Sequence, residues 1–245
     1  MVKGLYTAAS GMMLQLSKQD VIANNIANSS TSSFKRQLAV SSAYPVMPLA
    51  RTEGKRMEAL GNLGSGAVLA GIYNDFSPGS IIQTGNEADL AAGPESFFVV
   101  ETPQGERLTR SGSFKVNFDG LLSTGQGYPL LDEYGDYVYV EPGFAVDIQG
   151  NVSVDGITVH KLKLVKPDQT DALARDGENL YSGGAYEEDG NAQVMQGFLE
   201  QSNVNAVKEM VTLLEAVRTY EMLQKVVQAE DELTQTAVDK VGALG

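Results

Sequence analysis

A single histidine, His160, and no cysteine in 245 residues leave few routes to chemistry. A Cys–His nucleophile pair, a two-histidine zinc site, a thiolate metal centre and a disulfide are all excluded. A Ser-His-Asp triad would have to recruit His160, which lies in a strand-like run, and no Gly-x-Ser-x-Gly turn occurs to present a serine. His160 is expected to be a structural or surface residue. Gly61-Asn-Leu-Gly-Ser-Gly66 has the glycine density of a phosphate loop, but no Lys-Ser/Thr follows it and no good strand precedes it, so a flexible loop is expected. Glu187, Asp189 and Asn191 step like calcium-loop ligands, yet Ala192 stands where that loop needs glycine; a solvated acidic turn is expected. Carboxylates are plentiful enough for a glycosidase-like pair, and no spacing singles one out. The residue types predict no catalytic, cofactor or metal site.

The charge points the same way. Net charge is -13 with a pI of about 4.5, which disfavours nucleic acid or an anionic membrane surface as partner, since binding either gains from Lys and Arg on phosphates. No window approaches the ~20 apolar residues of a membrane span, so no membrane insertion is expected. The opening Met1-Val-Lys-Gly-Leu-Tyr-Thr-Ala-Ala-Ser-Gly lacks the apolar block of a cleaved secretory signal. Charge is segregated: residues 1–60 hold seven basic and three acidic groups, and residues 196–245 hold four basic and eight acidic ones. Opposite signs suit terminal segments that lie side by side, a modest bias at physiological salt.

The elements that could position such residues concentrate at the two ends. Leu5, Ala8, Met12, Leu16, Ile22 and Ile26 fall near one stripe, predicting a helix over about 5–27. Asn28-Ser-Ser-Thr-Ser-Ser33 should stop it, because short polar side chains bond their own backbone. Residues 37–71, with two prolines and five glycines, are expected to be an extended connection. Short strand-like runs follow: Phe97–Val100, Ser113–Phe118, Tyr137–Val140, Val152–Val154, Ile157–Val159 and Leu162–Leu164. Asp155-Gly156 between two of them is a two-residue hairpin signal. Residues 166–196 are polar and glycine-rich. With Ser202 or Asn203 as N-cap, Val207, Met210, Leu214, Val217, Tyr220, Leu223, Val227, Leu233, Ala237 and Val241 then recur at three- and four-residue steps, predicting a helix roughly 55 Å long. Such a stripe is expected to be core or coiled-coil seam. The fold class expected is α+β: a discontinuous α-helical coiled-coil domain from both termini (1–36 and 198–245), and a mainly antiparallel β domain over 72–197.

Leu5-Tyr-Thr-Ala-Ala-Ser-Gly-Met12, Asp20-Val-Ile-Ala-Asn-Asn-Ile-Ala-Asn28 and Phe34-Lys-Arg36 resemble the opening signature of bacterial flagellar rod and hook proteins. So do Gly197-Phe-Leu-Glu-Gln-Ser-Asn-Val-Asn205, Glu209-Met210 and Arg218-Thr-Tyr-Glu221 at the other end. Phe97–Val100, Arg110–Phe114 and Asn117–Leu121 agree more loosely. The resemblance implies an axial structural protein of the flagellar basal body, exported uncleaved by the flagellum-specific type III apparatus and polymerised with other copies and neighbouring rod or hook subunits. It further implies terminal helices packed into an inner coiled-coil wall, carrying torque from motor to hook. Length and the small β domain look most like the proximal rod subunit, with a distal rod or hook-like subunit the alternative. On this resemblance Asn24, Asn25, Asn28, Phe34, Ser202, Asn203, Val204, Glu209, Met210, Arg218 and Tyr220 join Leu5, Met12, Leu16, Ile22, Ile26, Val207, Leu214 and Val217 as candidate assembly residues. Outside the family, a secreted enzyme acting on the cell wall and a non-polymerising β-domain adaptor are the competing classes.

Overall fold

The computed structural model describes residues 2–44, 46–53, 56–177 and 179–242, which form two compact units. One comprises residues 1–27, 37–73 and 205–245; the other comprises 28–36 and 74–204.

The first unit is built on two helices, α1 (Val2–Ala27) of 26 residues and α2 (Ala206–Gly242) of 37 residues. A Cβ placed on Gly4 would meet Glu230, one on Gly11 would meet Leu223, and Asn25 bonds Glu209. Each step forward on α1 is matched by an equal step backward on α2, so the helices run antiparallel in one register. The cap of α2 differs from expectation: Asn205 Oδ1 accepts from the Lys208 N–H at 3.0 Å, whereas Ser202 and Asn203 lie upstream of the helix.

Residues 37–71, expected as a connection, are paired strand. They fall in β1 (Arg36–Ala43), β2 (Val46–Glu53), β3 (Arg56–Gly64) and β4 (Ala67–Asp75), with β1 hydrogen-bonded to β4 and β2 to β3. The glycines read as breakers include Gly61, where the β2/β3 register slips and φ is +133°. Gly66 is a close approach: a Cβ there would lie 2.7 Å from the Tyr44 carbonyl and 2.8 Å from Ser10 Oγ. The loop-like 61–66 segment is therefore the end of β3 and a tight turn into β4.

The second unit is antiparallel β. Its largest sheet has six strands in the order Ala174–Arg175, Leu180–Ser182, Gly105–Thr109, Phe97–Thr102, Leu164–Pro167, Tyr186–Glu188. Phe97 and Val99 point into one apolar cluster with Leu108, Val165 and Tyr181, while Phe98 and Val100 point into another with Phe114, Leu122, Leu130 and Val152. A strand buried on both faces has no polar alternate positions, which is why Phe97–Val100 reads as an unbroken apolar run. Val154 pairs with Ile157 across Asp155 (φ 52°) and Gly156 (φ 80°), the two left-handed positions of the expected hairpin turn. Tyr137 and Tyr139 make only isolated bridges, and the polar 166–196 stretch supplies four short strands.

Candidate assembly surfaces

In the helical unit the sole asparagine buried on α1 is a junction. Asn25, 1% exposed, donates to the Gln37 carbonyl at 2.9 Å and accepts from the Gln37 N–H at 2.9 Å, tying the end of α1 to β1. Its Nδ2 also reaches Glu209 Oε2 on α2 at 3.3 Å. Asparagine is a poor helix former, and here its amide satisfies backbone groups that an apolar side chain would leave bare. Asn24 is exposed and bonds the Gln37 side chain at 2.9 Å.

The apolar stripe of α2 splits into two faces. Glu209 and Ala216 are buried and Leu223 half-buried; they recur every seven residues and face α1. Val207, Met210, Val211 and Leu214, at 72, 50, 52 and 57% exposure, lie on another face. Val207 and Ala216 are nine positions apart, about two and a half turns, hence on opposite sides. Val217 and Tyr220 are half-buried and Arg218 is exposed. On α1, Ile22 is buried, Met12 and Ile26 are half-buried, and Leu5 and Leu16 are exposed. The expected single seam is thus a seam toward α1 together with an uncovered apolar face; of the buried seam residues, Glu209 is one that the resemblance singles out and Ala216 lies outside the expected set.

In the β unit Glu200 gathers the two segments that lead to the helices. Its side chain, 5% exposed, accepts from Lys35 Nζ at 2.8 Å and Arg110 Nη2 at 2.8 Å, and from the Gly79 N–H at 2.8 Å. Ser33 donates its N–H to the Glu200 carbonyl at 2.8 Å. Arg110 also donates to the carbonyls of Gly93 and Ser96. Burial pushes the Glu200 carboxyl up, but the charges of Arg110 and Lys35 with their hydrogen bonds outweigh it and hold it below its ordinary value. Burial holds Lys35 below its ordinary value; Glu200 counters this and Arg110 adds to it, two cations sharing one carboxylate. Asn203 fastens the same corner, accepting from the Arg36 N–H at 2.8 Å and donating to the Asp75 carbonyl at 2.8 Å. Phe34 is fully buried; Asn28, Ser202 and Val204 are half-buried. Glu200, Arg110 and Lys35 were not among the expected residues. Their sequence signal is that each lies inside a family-signature segment, Phe34-Lys-Arg36, Arg110–Phe114 and Gly197–Asn205.

His160, Asp189 and the acidic residues beside them make structural bonds. His160 Nδ1 lies 2.9 Å from Asp132 Oδ2. Burial raises the Asp132 carboxyl, and the His160 bond with the Asp136 and Tyr134 N–H groups outweighs this to leave it lowered. Asp189 accepts from Ser96 Oγ at 2.7 Å and from the Asn191 N–H at 3.1 Å. In a cleft of about 620 Å³, Glu95 is ion-paired to Lys166. Among the described residues no cluster of His and acid side chains could hold a metal ion, and no helix is long and apolar enough to cross a membrane.

Three family models match the chain: the flagella basal body rod protein over 5–35, the flagellar hook protein FlgE/F/G D1 domain over 93–163, and the flagellar basal body rod FlgEFG protein C-terminal over 195–240. The chain is 34% identical over 250 residues to the flagellar basal-body rod protein FlgF of Caulobacter vibrioides, covering 100% of both. It is 32% identical over 271 residues to the flagellar hook-basal body complex protein FlhO of Bacillus subtilis, again covering 100% of both. It is 30% identical to the flagellar basal-body rod protein FlgG of Buchnera aphidicola, covering 96% of this chain and 98% of that one. With matches at both helices and in the β unit between them, the chain belongs to the flagellar basal-body rod proteins of the FlgF/FlgG type and is a structural component of the basal-body rod.

Proposed function

We propose that this subunit polymerises through its terminal helices, without catalytic activity, and that the resulting rod carries torque from motor to hook. The supporting observation is the uncovered face of α2: Val207, Met210, Val211 and Leu214 are at least half exposed within the subunit, although covering what remains of each would gain about 1–2 kcal/mol. Residues 1–27 and 205–245 serve as the assembly segments, and 28–36 with 74–204 as the β domain. The length of the chain and its small β domain support the proximal rod position. Delivery is by the flagellar type III export apparatus, without cleavage.

Leu214→Asp tests the assembly role. The carboxylate is solvated in the free subunit but would be desolvated against neighbouring helices, at several kcal/mol for an unpaired charge. The variant should unfold like the parent in urea and be absent from purified basal bodies. Swimming cells whose rods contain it would refute the role of this face.

A further inference from the structure

A cleft of about 350 Å³ in the β unit has an unusual chemical inventory. Six hydroxyl side chains line it, including Ser32, Ser111, Ser113 and Thr124, with Arg175 the only charged group among the described residues of the lining. The hydroxyls of Ser32, Ser111 and Ser113 have no hydrogen bond to a described residue.

Arg175 is held in place and only partly satisfied. Its guanidinium carbon stands 4.5 Å over the ring of the buried Phe34. Nε donates to the Gly177 carbonyl at 3.2 Å and Nη2 to Asn179 Oδ1 at 3.4 Å. Asn179 is itself anchored, donating from Nδ2 to the Ser32 carbonyl at 3.0 Å. Nη1 is buried with no partner. The neighbouring Asp176 is engaged by Arg107 at 2.7 Å. A guanidinium does not lose its proton in a protein, and an unpaired cation at a partly desolvated position is costly. An anion in the cleft would counter the charge of the guanidinium as a whole without bonding the enclosed Nη1, and rotatable hydroxyls donate to any oxygen the cation attracts.

We propose that this cleft is an oxyanion site, in which a carboxylate or phosphate-type group sits among the serine hydroxyls with Arg175 as counter-charge. The oxyanion is either a free inorganic ion or a carboxylate displayed by a second copy of this acidic chain.

The test is a titration of the isotope-labelled full chain with sodium phosphate and, separately, sodium acetate, at constant ionic strength set by chloride. Saturable amide shifts confined to Ser111, Ser113, Gly125 and Asn179 are expected, with affinity at least about tenfold weaker in Arg175→Gln and measurably weaker in Ser113→Ala, which keeps the cation. No saturable shift from either anion, or unchanged affinity in both variants, would overturn the site. Rod incorporation distinguishes the sources: folded Arg175→Gln missing from basal bodies marks a neighbour's carboxylate, and normal incorporation with lost phosphate binding marks a free ion.

Discussion

At the residue scale, the strongest electrostatic commitment is one carboxylate. Glu200 faces two buried cations and a backbone N–H, so removing its charge leaves Lys35 and Arg110 uncompensated, which costs about 3–5 kcal/mol for a buried pair. Glu200→Gln should lower the urea-derived unfolding free energy by that order. The pH dependence follows from a folded-state pKa below the ordinary value of 4.5. The contribution is fully present above 4.5 and is lost as pH falls through the lower folded value, so the gap between parent and variant should close on acidification. A gap constant down to pH 3 would show that the charge is not what matters. Gly156 makes an independent prediction: its φ is +80° and a Cβ there would touch nothing. Any penalty for Gly156→Val is therefore backbone strain, about 1 kcal/mol or more, visible as a lower midpoint in thermal unfolding.

At the element scale, α1 is anchored by hydrogen bonds at its C-terminal end and by close packing along its length. Asn25 satisfies both backbone groups of Gln37 and meets Glu209. Asn25→Asp removes the amide donor and places a second carboxylate beside a buried one, so at least about 2 kcal/mol should be lost. Hydrogen exchange locates the loss: the last turn of α1 and the first turn of α2 should open together, and protection unchanged at both would rule the junction out. Gly11 acts through shape. A Cβ there stands 3.0 Å from Leu223 Cδ1, so a larger side chain such as leucine would force the helices apart.

At the scale of the whole molecule, the two faces of α2 separate fold from assembly. Ala216 is 6% exposed in the seam toward α1, whereas Leu214 is 57% exposed. Aspartate at Ala216 should destabilise the helical unit of the isolated subunit by several kcal/mol, while aspartate at Leu214 should leave that unit unchanged and stop rod incorporation. Circular dichroism at 222 nm during urea unfolding, followed for both variants, decides the first half. Equal loss of helix in the two would mean that both positions serve the subunit alone.

Much of this architecture was legible locally. The two terminal helices, the β-rich middle and the Asp155-Gly156 turn follow from periods and turn chemistry that a few neighbouring residues settle. The family signatures at both ends added the rod assignment, and one histidine with no cysteine removed whole classes of chemistry. Other features required the tertiary structure. Residues 37–71 read as connection because proline and glycine mask pairing, yet β1 finds β4 and β2 finds β3; strand pairing is decided by a distant partner. The α2 stripe could not reveal that it splits, since three- and four-residue steps drift around the helix and only α1 selects the face carrying Glu209 and Ala216. Lys35, Arg110 and Glu200 look like ordinary solvated charges along the chain. Only folding brings together residues separated by 165 and 90 positions, and burial turns that meeting into the clamp of the β unit.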